Sequence, residues 1–276
     1  MLYADDLIIM EDSFEKLQSY MPIIVEVFEA YGLIIAAEKT KLVVWGDAGE
    51  FSLDIGGSLI EQVDRFRYLG HNLHVENDDY FLNIHIGAAC SAFHKYRNIF
   101  QDHRINMQAR VTLLNCLVRT KLTYAAQSWH LTERQLSKLS STWNRFLRRM
   151  VKGGFARKNP DDDQDMALRI SNARLYSITK TASLTNYVKR QQLLYAGHVS
   201  RMRNDSWQKI SMFILNETGG GKGALTRYAQ DCGNMSTDQM LRLMQNRKDF
   251  RRELDTRYGG VDKGSAKNRK SGAATK

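Results

Sequence analysis

The chain has 276 residues, 43% of them hydrophobic, and carries a formal net charge of +10. That is enough apolar material for a packed core and more length than one small domain uses, and a balance this basic points to a polyanionic partner, with nucleic acid the default. The three cysteines, Cys90, Cys116 and Cys232, suit neither a disulfide framework nor a zinc site, and no apolar run has membrane-spanning length. With no leader-like N-terminus, the expectation is an intracellular protein, in the nucleus or cytoplasm, without a membrane partner.

The first ten residues, MLYADDLIIM, alternate apolar, acidic and apolar character and predict a hairpin with Asp5 and Asp6 at its turn. Asp12 stands three residues before Glu15 and predicts a capped helix with Leu17, Met21, Ile24, Val25 and Phe28 on one face. Pro22 could kink this helix, and Gly32 ends it. Strands are expected over 33–36, 41–45, 51–55 and 66–73, punctuated by glycines.

From about residue 76 the pattern turns helical. One helix is expected from Asn77 to about residue 100, a second over 107–129, and a third from Thr132, boxed by Gln135, to Gly153-Gly154. Leu136, Leu139, Trp143, Phe146, Leu147 and Met150 form the third helix's apolar stripe and read as core. The run NPDDDQD at 159–165 lacks the pattern of a Ca²⁺ loop and reads as a solvated linker; GGGKG at 219–223 lacks phosphate-loop spacing and reads as a flexible loop. Helices resume over 171–202 and 237–257, and the Gly/Ser/Lys-rich tail from 259 to 276 reads as disordered.

Two adjacent aspartates at a hairpin turn have a chemical use. Nucleotidyl transfer is served by two Mg²⁺ ions about 4 Å apart, one activating a 3′-oxygen and one stabilising the leaving pyrophosphate. Mg²⁺ takes hard oxygen ligands, commonly one or two carboxylates plus substrate phosphates. The plain alternative is an Asp-rich turn.

Tyr3-Ala4-Asp5-Asp6 resembles the catalytic box of reverse transcriptases, and its Ala resembles the non-LTR retrotransposon and group II intron branches. Similar blocks follow in family order. Tyr31-Gly32-Leu33 precedes Glu38-Lys39-Thr40-Lys41, although Ala36 and Ala37 stand where the family usually has an Asn. Phe66-Arg67-Tyr68-Leu69-Gly70 resembles the primer-grip hairpin. Leu122-Thr123-Tyr124-Ala125 with Trp129 resembles the thumb, where the family commonly has Leu-x-Tyr-Gly and a Trp. Gly197-His198-Val199 with Arg201-Met202 is similar to a signature found after the thumb.

This resemblance implies an α+β fold: a partial palm of short antiparallel strands with one helix (1–75), a helical thumb (76–153), a helical C-terminal region (154–258) and a basic tail (259–276). It implies an RNA-directed DNA polymerase that uses an RNA template, a DNA primer, deoxynucleotide triphosphates and two Mg²⁺ ions. Asp5 would be the principal metal ligand and Asp6 a weaker one. Lys39 would be the general acid for pyrophosphate, with a solvated lysine as its plain alternative. Tyr3 would lie under the primer terminus, and Tyr68, Leu69 and Gly70 would hold the primer backbone. The family's third carboxylate, fingers and template-binding helix lie upstream of this box, so the isolated chain is expected to be an incomplete enzyme that binds Mg²⁺ weakly or not at all. The alternatives are a non-catalytic nucleic-acid-binding remnant or a host-recruited interaction protein.

The basic charge is concentrated. Residues 133–157 hold seven Lys or Arg and one acid, Glu133, and Arg145, Arg149 and Lys152 share a helical face suited to tracking a phosphate backbone. Arg190, His198, Arg201 and Arg203, with Tyr187, Tyr195 and Trp207 nearby, form a second cluster. Lys263, Lys267, Arg269 and Lys270 would add non-specific affinity or a localisation signal.

Overall fold

The computed structural model describes residues 2–3, 5–46, 49–74, 79–129, 131–152, 170–214, 228–230, 232–233 and 235–259. The fold is α+β and divides into two compact units, Met1–Phe81 and Leu82–Lys276.

Among its described residues the first unit contains three antiparallel hairpins and one helix. The hairpins pair β1 (Leu2–Tyr3) with β2 (Asp6–Leu7), β3 (Leu53–Ile55) with β4 (Ser58–Ile60), and β5 (Arg65–Tyr68) with β6 (His71–His74). Helix α1 (Phe14–Ala30) is capped by Ser13, whose side chain accepts from the Lys16 amide. Asp12, the expected cap, instead pairs with Lys16 at 2.9 Å, and Pro22 is accommodated without ending the helix. The helix closes as a Schellman motif: the Gly32 amide donates to the Glu29 carbonyl and the Leu33 amide to the Phe28 carbonyl.

The predicted apolar face of α1 meets the β3–β4 hairpin. Met21, Leu53, Ile55, Ile60 and Leu42 form the buried centre, with Leu17, Ile24 and Val25 partly buried around it. Gln18 joins helix to strand by donating to the Asp54 carbonyl (3.1 Å) and accepting from its amide (3.0 Å), so its side chain pairs as a neighbouring strand would. Two expected strands do not form. Residues 33–36 are irregular, with Ile34 92% exposed, and 41–45 contribute one parallel bridge, Leu42 to Gln62. Their β-branched and aromatic composition lacks a partner strand, which is what a β-ladder needs to satisfy its backbone.

The second unit is helical. It comprises α2 (Tyr80–Lys95, entering from the first unit's last residues), α3 (Arg97–Gln101), α4 (Met107–Leu114), α5 (Thr120–Leu122), α6 (Glu133–Lys152), α7 (Asn172–Thr179), α8 (Leu184–Ser200), α9 (Trp207–Lys209), α10 (Thr237–Gln245) and α11 (Arg247–Tyr258). A π-helical turn, Asn115–Arg119, joins α4 to α5 without leaving helical geometry. Three expected continuous helices are interrupted: at Tyr96, at the 123–125 turn after α5, and at Asn246, whose side chain caps α11. The expected cap Asn77, the Gly153-Gly154 stop, the 159–165 linker, the 219–223 loop and all but the first residue of the tail lie outside the described residues.

Around α6 the stripe holds as predicted: Leu139, Trp143, Phe146, Leu147 and Met150 are all buried. Phe93 stacks between Phe100 (centroids 5.3 Å apart) and Phe146 (4.9 Å). The predicted box is present: the Thr132 amide donates to Gln135 Oε1 (3.0 Å) and the Gln135 amide to Thr132 Oγ1 (3.3 Å). Helix α8 ties the rest together, meeting α6 through Ser140 and Thr185 (3.0 Å) and the 126–129 turn through Gln192, which donates to the Trp129 carbonyl (2.8 Å). A further core joins Leu193, Ala196 and Val199 of α8 to Met240, Met244, Phe250 and Leu254.

Arg110 is 3% exposed and donates to three carbonyls: Phe100 in the last turn of α3 (3.0 Å), Met150 near the end of α6 (3.1 Å) and Ile105 (3.1 Å). A guanidinium suits this place because helix C-termini carry negative partial charge and unpaired carbonyls. Arg110→Met should destabilise the helical unit by about 3 kcal/mol, because it strands buried acceptors. Chemical denaturation followed by tryptophan fluorescence measures it, and a loss under about 1 kcal/mol would show that water replaces the guanidinium freely.

After α5 the chain turns through Ala125 at φ +58°, a left-handed conformation that disfavours a side chain. This is the position where the resembled family commonly has Gly. Ala125→Gly should therefore stabilise the protein by about 1 kcal/mol, read as a raised denaturation midpoint. Destabilisation would mean that the Ala methyl group contributes more to packing than the strain costs.

Candidate carboxylate hairpin and nucleic-acid surface

In the first unit Leu2 pairs with Leu7 and Tyr3 with Asp6. The connection is therefore two residues long and includes Asp5, while Asp6 opens the second strand rather than sitting in the turn as expected. Both carboxylates are exposed. Leu2–Tyr3 and Asp6–Leu7 form the strands, so the two acids are sequence neighbours at one hairpin end. Among the described residues, no group of three or more His, Cys, Asp or Glu gathers to hold a metal ion. The hairpin thus offers two hard oxygen donors, which fits the one or two carboxylates that Mg²⁺ commonly takes when substrate phosphates supply other ligands.

Lys39 lies in a separate turn. Its amide donates to the Ala36 carbonyl (3.0 Å), as does that of Thr40 (3.0 Å), and its side chain is exposed. Tyr68 and His71 close the β5–β6 hairpin, with Leu69 (φ +47°) and Gly70 (φ +79°) as its two connecting residues. Two successive positive φ values give the turn a hand that matches the twist of paired strands. A leucine there is strained, and Leu69 is 40% exposed, so core burial does not account for it. Tyr68, Leu69 and Gly70 are successive residues of this hairpin end. Tyr3 belongs to β1, with its side chain outside the described residues.

In the helical unit, Arg145 and Arg149 are exposed on α6, one turn apart and away from its buried stripe. Neighbouring cations are engaged: Arg148 donates to the Asn172 side chain and Lys138 to Asn83 Oδ1 (2.8 Å). Lys152 ends the helix, with its side chain outside the described residues. The second expected cluster is divided. Arg190 pairs with Asp255 and Arg203 with Asp205. His198 and Arg201 remain together, joined by Arg247 and Arg251 of α11. Sequence reading missed these two arginines. Their spacing of four residues was visible, but nothing in the sequence placed α11 against α8.

No helix among the described residues is long and apolar enough to cross a membrane. Residues 1–73 match the family described as reverse transcriptase (RNA-dependent DNA polymerase). Over 214 residues the chain is 24% identical to an uncharacterised transposon-derived protein of Caenorhabditis elegans, covering 75% of this chain and 74% of that protein. No solved structure matches significantly. The N-terminal stretch is thus similar to reverse transcriptases, and three quarters of the chain is similar to a transposon-derived protein.

Proposed function

We propose that this chain is the palm-to-C-terminal portion of a non-LTR retrotransposon reverse transcriptase and handles an RNA template and DNA primer. One observation carries the reading: Asp5 in a two-residue hairpin connection with Asp6 beside it, inside the stretch that matches the reverse transcriptase family. Asp5 and Asp6 would hold Mg²⁺, which when bound would supply activation of a 3′-oxygen and charge neutralisation at pyrophosphate. Asp5, in the connection itself, is the proposed principal ligand, and Asp6, at the start of β2, the weaker one. Lys39, exposed in its turn, is the proposed proton donor to the leaving pyrophosphate, and the Leu69–Gly70 turn the proposed rest for the primer backbone.

A second reading, nucleic-acid binding without polymerisation, is favoured for the isolated chain. Arg145 and Arg149 present an exposed basic face, and no third carboxylate joins Asp5 and Asp6 among the described residues. The isolated chain is expected to show no Mg²⁺-dependent extension of a primed RNA template. Incorporation that disappears in Asp5→Asn would overturn that expectation and establish the hairpin as a sufficient site.

Binding is expected to be sequence-independent and salt-dependent. Replacing Arg145, Arg149 and Lys152 by Gln keeps helix propensity and should lower the slope of log affinity against log salt by roughly two for single-stranded RNA, at about 0.7 per lost phosphate contact. An unchanged slope in a folded triple variant would remove α6 as the binding face.

A further inference from the structure

Between α8 and α11 lies a cavity of about 320 Å³ lined by Leu194, His198, Arg201, Arg247, Phe250 and Arg251. Among the described residues its polar lining is three guanidiniums and an imidazole, with no carboxylate. Like charges gathered in one lining repel, and among the described residues the acids of α11 do not relieve them. The three acidic residues of α11 are engaged elsewhere: Asp249 with Arg252 (3.3 Å), Glu253 with Arg257, and Asp255 with Arg190. Asp205, beyond α8, pairs with Arg203. Partial burial and the neighbouring Arg247 charge hold Arg201 below the usual arginine pKa. Its guanidinium is fixed by donation to the Met244 carbonyl. Arg247 is the first residue of α11, so the positive end of that helix's dipole adds to the field.

Backbone packing builds the cavity. A Cβ at Gly197 would lie 2.5 and 2.8 Å from two Phe250 ring carbons, so the helices meet only because residue 197 has no side chain. Val199, fully buried, and Met202 turn into the adjoining core, leaving His198 and Arg201 to face the cavity. The Gly-His-Val-x-Arg-Met segment thus divides its residues by physical role. Gly197 permits the close approach, His198 and Arg201 wall the cavity, and Val199 and Met202 fill the core.

We propose that this cavity is a phosphate-binding site that holds a phosphodiester of bound nucleic acid. Guanidinium forks match phosphate oxygens in geometry as well as charge, and an anion would relieve the repulsion among the three guanidiniums. The assignment to nucleic acid rests on the function proposed above; the anion's charge does not.

The test uses the full chain, inorganic phosphate and a labelled single-stranded RNA, with Arg247→Gln/Arg251→Gln as the variant. Both positions are exposed on a helix, where Gln is well tolerated. Phosphate should shift the His198 ring resonance, assigned through His198→Gln, in the wild type and not in the double variant. RNA affinity should fall roughly tenfold in the double variant, as expected for a lost charge-assisted contact. A His198 resonance indifferent to phosphate overturns the site. Phosphate binding with RNA affinity unchanged in the variant overturns the phosphodiester assignment while leaving α6 as an interface. A wild type that binds phosphate but no RNA overturns both that assignment and the proposed function.

Discussion

A buried guanidinium stands where three segments of the helical unit end. Arg110 occupies the interior between the ends of α3 and α6 and answers carbonyls that their own helices cannot satisfy. Burying a cation is costly unless its donors are met, and here carbonyls from two helices and the intervening loop meet them. Because one side chain closes all three, the end of α6 is tied to the packing of α3 and α4. The course of α6, and with it the direction in which Arg145 and Arg149 face, follows from that constraint.

Helix α6 thereby serves two purposes with one periodicity. Its inner stripe, from Leu139 to Met150, joins the Phe93–Phe100–Phe146 stack, and its outer stripe carries cations with few local acids. The division is not uniform: Arg148 and Lys138 spend their donors on Asn172 and Asn83, on neighbouring helices. Net charge alone overstates an interface, since an engaged cation offers a phosphate less than one facing water. The same distinction narrows the second cluster, where Arg190 and Arg203 are held by carboxylates and Arg201 is not.

Legibility followed the range of the interaction. Features set within four residues were readable: the Thr132–Gln135 box, the α6 stripe, the end of α1 at Gly32 and the hairpin around Asp5. The α1 cap was misplaced by one residue because Asp12 and Ser13 are both good caps, and Asp12 found Lys16. Strands were over-read at 33–36 and 41–45 because β-propensity cannot reveal whether a partner strand exists. No Gly or Pro marks the π turn after α4, and at Asn246 the local signal is a capping Asn that reads as helix interior. Arg247 and Arg251 were invisible as site residues because their meaning depends on Gly197, some fifty positions earlier, letting α11 close on α8.

The two units contribute differently to one account. The first carries the stretch similar to reverse transcriptases, and the second carries exposed cations on α6 and a cluster of guanidiniums between α8 and α11. Ultraviolet crosslinking of a bound single-stranded RNA, with the attached peptides mapped by mass spectrometry, tests that account most directly. It predicts crosslinks in α6 and in the segments of α8 and α11 that line the cavity. Crosslinks confined to residues outside these helices would contradict it.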